Sequence, residues 1–167
     1  QWVEDENLHV RRLVSEGTRP RLPWAARLPH FQKSPKLCLP FLRALREDPE
    51  LYVRKSVANH LNDFSKDHPD WLVRELTRWK KEIPDHKGVD WIVRHALRTL
   101  VKSGHREALA LLGFQPASIS TIKLSVSPRK IRIGSAISIS VSAAGKYNER
   151  WLIDYAIHHR KKNGTLA

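Results

Sequence analysis

The sequence lacks what would tie it to a disulfide framework, a nucleotide cofactor or a membrane. It holds one cysteine, Cys38, so no intrachain disulfide can form, and no CxxC or Cys/His cluster offers metal-ligand spacing. That excludes a stapled secreted scaffold and a zinc module, and makes a reducing, intracellular setting the expectation. No apolar run approaches the roughly 20 residues needed to span a bilayer, and the opening QWVEDENLHVRR has no apolar signal segment. The protein should therefore be soluble. The seven glycines stand singly, without GxGxxG or GxxxxGK, and the nine histidines form no HExxH or similar spacing, so neither cofactor nor metal is expected. Methionine is absent even at position 1, and the sequence stops at HHRKKNGTLA soon after an alternating stretch, so a piece of a longer protein is expected. The last scarcity is negative charge. Seventeen Asp and Glu face 30 Lys and Arg, leaving a net charge of +13, which points to a polyanionic partner.

What is present is enough apolar residue, 41% of 167, to close a core, and two patterns of placing it. Up to about residue 114 apolar residues recur three and four apart; from about Ser118 they alternate with polar ones. The break near Gln115 and Pro116 divides a helical region, 1–117, from a β region, 118–167. Helices are expected at 6–16, 35–46, 51–65, 69–82, 90–103 and 105–112, several of them stopped by Gly17, Gly104 or Gly113. In the β region TIKLSVS, KIRIGSAISISVSAA and WLIDYAIHH predict three or four antiparallel strands, the start of an immunoglobulin-like sandwich.

An internal repeat sets the expected architecture. HVRRLVSEG, YVRKSVANH and IVRHALRTL align on Val10, Val53 and Val93, with spacings of 43 and 40 residues. That period suits HEAT-like helix pairs, which bury their apolar faces only by stacking into a solenoid. The fold expected is therefore mainly α, a HEAT-like solenoid followed by a partial immunoglobulin-like antiparallel β domain. Helical geometry puts Arg12, Glu16 and Arg19, then Lys55, Asn59, Asn62 and Asp63, then His95, Thr99 and Lys102 on one polar face. Val10, Leu13, Val14, Val53, Val57, Leu61, Phe64, Val93, Leu97 and Leu100 fall on the opposite, core face.

Basic residues at equivalent turns, joined by Arg54, Lys66, Arg94 and Arg98, form the footprint of a protein that tracks a phosphate backbone; a merely solvated helix face is the alternative. Glu16 and Asp63 stand out, because a carboxylate facing DNA repels phosphate unless something positive sits there. They could stabilise a cationic base or an oxocarbenium-like sugar. Equally, Glu16 could pair with Arg12, and Asp63 with Lys55 or Lys66, as ordinary ion pairs. Trp24, between Pro23 and Ala25, could present its ring to a cation or plug a gap between repeats. Plugging is the reading for Trp71 and Trp79, Trp91 stays open, and Cys38 reads as a buried small hydrophobe.

VRRLVSEGTRPRLPWA at 10–25, YVRKSVANHLNDFSKDHPD at 52–70 and WIVRHALRTLVKSGHREALALLGF at 91–114 resemble the AlkC branch of the AlkC/AlkD DNA alkylation repair glycosylases. KIRIGSAISISVSA and LIDYAIHHRKKNG resemble the immunoglobulin-like domain appended to part of that branch. The resemblance implies a bacterial, cytoplasmic and nucleoid-associated enzyme, monofunctional and metal-free. It would hydrolyse the N-glycosidic bond of cationic lesions such as N3-methyladenine and N3-methylcytosine without drawing the base into a deep pocket. It implies that Glu16 of SEG and Asp63 of LND act near the lesion, with Trp24 of LPW beside it. The DNA-binding set it implies is Arg11, Arg12, Arg19, Lys55, Arg94, His95, Arg98 and Lys102, with Asn59 and Asn62 on the same groove. The partner would be double-stranded DNA carrying alkylated bases, met by a monomer. The competing reading is a HEAT-like scaffold that binds DNA or an acidic protein without chemistry.

Overall fold

The Asn7 carboxamide oxygen accepts from the His9 N–H at 2.9 Å, capping the first helix, α1, Leu8–Glu16. A computed structural model describes residues 1–116, 118–145 and 150–166. After α1 come α2 (Pro29–Lys33), α3 (Leu39–Ala44), α4 (Leu51–Asp63) and α5 (Pro69–Glu82). Three of these carry proline in their first turn, where its missing N–H leaves no bond unmade. Next are α6 (Lys87–Ala96), α7 (Arg98–Lys102) and α8 (Arg106–Leu111). His86 Nδ1 caps α6 by accepting from Val89 N–H at 3.2 Å, and His105 Nδ1 caps α8 by accepting from Ala108 N–H at 3.4 Å. Gly104 and Gly113, past the ends of α7 and α8, take positive φ of 73° and 82°, which other residues adopt only at a cost.

Three boundaries differ from expectation. The helix foreseen at 35–46 is a 3-10 turn, Pro35–Leu37, followed by the shorter α3. The helix α2 lies where prolines suggested only turns. The helix foreseen at 90–103 starts earlier, at Lys87, and breaks at Leu97. Side chains claim the two carbonyls just before the break: Arg98 Nη1 donates to His95 O at 2.6 Å and Asn62 Nδ2 to Ala96 O at 2.7 Å.

α4 packs between α1 and α6, so the three aligned strings lie side by side. Val53, Val57, Leu61 and Phe64 are fully buried, as are Leu97, Leu42, Leu72, Leu76 and Trp79. Burying each such side chain stabilises the fold by about 1.5–3 kcal/mol. Leu13 is the exception to the expected core face, being 55% exposed. Its equivalents, Ser56 in α4 and Ala96 in α6, are buried. Trp79 lies inside with Nε1 donating to Glu75 Oε1 at 2.8 Å, and Trp71 sets its edge on Phe64 at 5.6 Å, so both fill packing space. Cys38 is buried, and burial pushes its thiol up to about 12, as suits an inert small hydrophobe.

The chain divides into two compact units, Gln1–Leu112 and a smaller one from Gly113 onward. In the second, β1 (Ile119–Ser127) and β2 (Ser138–Gly145) form a two-stranded antiparallel sheet. Leu124 opposes Val141 and Val126 opposes Ile139, while Ser125 opposes Ser140, so the ribbon has one apolar and one polar face. Three or four strands were expected. KIRIG lies in a turn region and residues 151–159 form no strand; only an isolated bridge joins Arg160 to Leu166. Alternation states which faces a strand would have, but a strand also needs a neighbour to take its ladder bonds.

Candidate nucleic-acid interface

The side-by-side packing of α1, α4 and α6 brings the repeat's polar positions together. Just past α1, Arg19 turns back over α4: its Nε donates to Asp63 Oδ2 and its Nη2 to Asp63 Oδ1, both at 3.0 Å. Its remaining Nη1 donates to Glu16 Oε1 at 2.9 Å. One arginine thus joins two carboxylates that lie 47 positions apart in the sequence and on different repeats. The other Glu16 oxygen accepts the Ser56 hydroxyl at 2.6 Å and lies 3.2 Å from Arg12 Nη2. The side chains of Glu16, Asp63 and Arg19 are 16%, 11% and 9% exposed, so the cluster is nearly enclosed.

The electrostatics follow from that enclosure. Burial acts to raise the Glu16 carboxyl, but the Ser56 and Arg19 hydrogen bonds and the Arg19 and Arg12 charges outweigh it and hold it below its ordinary value. Burial acts to lower the Arg19 guanidinium, and the two carboxylates outweigh it, so it is raised. Glu16 therefore pairs with Arg12, as one sequence alternative had it, and with Arg19 as well. Asp63 pairs with neither Lys55 nor Lys66; Arg19 takes both its oxygens. The alternative failed there because a bidentate arginine matches a carboxylate better than a point charge does.

Beside this cluster, Asn59 Oδ1 accepts from His95 Nε2 at 3.1 Å and from Arg98 Nη2 at 3.0 Å. Burial, Arg98 and Lys55 all lower the pKa of His95, which stacks on Trp91 with ring centroids 4.8 Å apart. Burial and the Arg19 charge likewise lower Arg98, against the pull of Asp63. Lys55, Arg94 and Lys102 are exposed, and Arg12 is half-buried with its guanidinium 4.3 Å from the centre of the Tyr52 ring. Arg12 lies 3.2 Å from Glu16, and Arg98 lies within electrostatic reach of Asp63.

Four residues singled out in the sequence are used within the fold. Arg11 donates to both oxygens of Asp48, and its Nη1 donates to the Asp5 and Glu6 carbonyls, six and five residues back. Arg54, the equivalent position of the next repeat, donates to the Asp48 and Pro49 carbonyls, again six and five residues back. Both pin the entry of their helix, which occupies the donors a phosphate would need. Asn62 is buried and binds Ala96 O and Thr99. Arg19 is likewise buried between carboxylates rather than presented to solvent.

Trp24 is fully exposed, at φ 64°, on a loop held at its base by Arg21 bidentate to Asp67 and by Leu28 N–H on Pro20 O. A left-handed backbone costs a non-glycine residue about 1–2 kcal/mol. The gap-filling alternative therefore fails for Trp24.

Residues 1–100 match the family described as DNA alkylation repair enzyme. The chain belongs to the DNA alkylation repair enzyme family. As a member of that family it is 44% identical, over 98% of its length, to the uncharacterized protein YhaZ of Bacillus subtilis (strain 168), of which it covers 45%. It also matches the structure of Pseudomonas fluorescens alkylpurine DNA glycosylase AlkC bound to DNA containing an abasic site analog. There the TM-score is 0.86 at 45% identity, across 99% of this chain and 46% of that one. The chain thus has an AlkC-like fold and spans less than half the length of either protein. Among its described residues no helix is long and apolar enough to cross a membrane, and no three His, Cys, Asp or Glu side chains gather as a metal site would need.

Sequence reasoning missed Ser56 and His60. Their signal was a polar residue in a row otherwise apolar: Ser56 falls in register with Leu13 and Ala96, and His60 sits between Val57 and Leu61, both buried.

Proposed function

We propose that this chain is part of a DNA glycosylase that hydrolyses the N-glycosidic bond of cationic alkylated bases, N3-methyladenine and N3-methylcytosine, in base excision repair. The observation that carries the reading is the Glu16–Arg19–Asp63 cluster, two carboxylates joined by one arginine, with Arg12 at Glu16 and Arg98 within electrostatic reach of Asp63. A cationic leaving base already weakens its bond to the sugar, so no proton donor is needed; ionised carboxylates that stabilise positive charge on the deoxyribose and orient the attacking water suffice. Glu16 is suited to that role because its partners keep it ionised. Arg19 alone sits between the two carboxylates, and the half-buried Arg12, 3.2 Å from Glu16, supplies the second positive charge. The exposed Trp24 ring would stack on a cationic base, and its strained backbone is the kind of feature that persists at functional sites.

Phosphate contact falls to Arg12, Lys55, Arg94, His95, Arg98 and Lys102, with Asn59 orienting two of them. The helical rows belong to a HEAT-like solenoid over 1–117, and the two-stranded sheet to a partial immunoglobulin-like domain over 118–167. An open groove of this kind suits recognition through the backbone, with the base left outside any deep pocket. Double-stranded DNA would be met by a monomer, without metal or cofactor, in the bacterial cytoplasm.

One observation favours the scaffold reading: both Asp63 oxygens are already occupied by Arg19, as in a structural ion pair. Incubation with DNA carrying radiolabelled methyl groups separates the two. Release of N3-methylated bases, lost in Glu16→Gln and Asp63→Asn, is the glycosylase outcome. DNA binding with no base release, and no preference for alkylated DNA, is the scaffold outcome.

A further inference from the structure

We propose that Ser56 is a positioning residue for the reaction, fixing the orientation of the Glu16 carboxylate through a hydrogen bond that spans two repeats. The proposal rests on the reading of Glu16 as an acidic group of the glycosylase.

Ser56 is 1% exposed on α4, in the row that holds Leu13 and Ala96 in the neighbouring repeats. A hydroxyl taken into such a row costs free energy unless it is bonded. Its bond is to Glu16, Oγ to Oε2 at 2.6 Å, within the range of a charge-assisted O–H to carboxylate contact. Two separate holds thus act on one carboxylate. Arg19 Nη1 grips Oε1 at 2.9 Å and the Ser56 hydroxyl grips Oε2, so the carboxylate plane is set from both sides. Arg12, the third partner, has a side chain 30% exposed and also lies over Tyr52, so phosphate can draw it away when DNA binds. Once Arg12 has left, Ser56 is what keeps Oε2 in place.

The same bond bears on charge. The ionisable groups facing Glu16 are Arg12 and Arg19 from its own segment and His60 from α4, and burial makes His60 neutral. Burial works against the Glu16 anion, and the neutral Ser56 hydroxyl opposes it together with the Arg19 hydrogen bond and the Arg19 and Arg12 charges. Because Ser56 carries no charge, its loss changes Glu16 without changing the protein's long-range attraction for DNA. That separates a positioning role from a phosphate contact.

The experiment titrates the Glu16 side-chain carboxyl by carbon-13 NMR in the whole chain, as wild type, Ser56→Ala and Ser56→Thr. It is paired with the pH profile of methylated-base release and with the salt dependence of DNA binding. In Ser56→Ala the Glu16 midpoint should rise, because burial then meets one hydrogen bond fewer. The acid limb of base release should move up with it, while DNA affinity and its salt slope stay at wild-type values. Ser56→Thr, which keeps the hydroxyl, should restore the midpoint; Ser56→Cys, of similar volume and weaker as a donor, should fall between, and serves if Ser56→Ala does not fold. An unmoved Glu16 midpoint in Ser56→Ala, or a lowered salt slope, overturns the proposal. A full-length protein carrying this chain that releases no base while the midpoint still moves overturns the glycosylase reading and leaves the Ser56–Glu16 hold standing.

Discussion

Arg19 and Asp63 meet fork to fork, two parallel hydrogen bonds of 3.0 Å between residues 44 positions apart, with both side chains nearly enclosed. Breaking such a pair from one side strands a buried charge, which costs far more than the pair contributes. Arg19→Gln should therefore destabilise the helical unit by on the order of 3 kcal/mol, and Arg19→Gln with Asp63→Asn by less. Chemical denaturation of the three proteins checks this. Because Arg19 faces carboxylates, its loss should also leave the salt slope of DNA binding unchanged.

The exposed cations should behave in the opposite way. Lys55, Arg94 and Lys102 are open to solvent, and each phosphate they neutralise releases about 0.9 counterion. The triple change to glutamine should lower the slope of log affinity against log salt by about 2.7, with little loss of stability. Arg11→Gln should do the reverse, because Asp48 and the carbonyls at the start of α1 hold its donors. Fluorescence anisotropy over a salt series, with thermal melts, separates the two classes.

His60 predicts how stability depends on pH. Its ring packs against Phe41 and Phe64, Nδ1 donates to Ser15 O at 2.9 Å, and Nε2 has no hydrogen-bond partner among the described residues. Burial lowers its pKa to about 4, against 6.5 for a free imidazole. Between those values the unfolded chain takes up a proton that the folded one refuses, so stability falls as pH drops from 6.5 towards 4. The loss amounts to about 3 kcal/mol. His60→Asn should flatten that window. Glu16, held low in the fold, acts in the same direction but only below about 4.5, where its unfolded counterpart protonates.

Trp24 should separate stability from function. Its side chain touches solvent all round and its φ is 64°. Glycine relieves that backbone strain but gains freedom when unfolded, and the two effects are of similar size. Trp24→Gly should thus melt within about 0.5 kcal/mol of wild type while base release falls. Trp79→Ala, which empties a fully buried site, should cost about 3–5 kcal/mol.

By itself the sequence determined the charge, the repeat register and most of the helices, because these follow from composition and from a 3.6-residue period that acts within a few residues. Val53, Val57, Leu61, Val93 and Leu97 were legible as core for that reason, as were Gly104 and Gly113 as stops. Period alone could not show which apolar positions find a neighbour to cover them, so Leu13 looked like core. Nor could alternation show whether residues 151–159 find a strand to pair with. Partner choice among charges was illegible too: Arg11, Arg12, Arg19, Lys55 and Lys66 all looked like cations on a face. Only tertiary packing decided that Arg19 reaches across to Asp63, that Ser56 reaches back to Glu16, and that Lys55 is left to solvent. The reason is range. Helical period is set by bonds four residues long, whereas these hydrogen bonds between repeats depend on ångström-scale placement of chain 40 or more residues away.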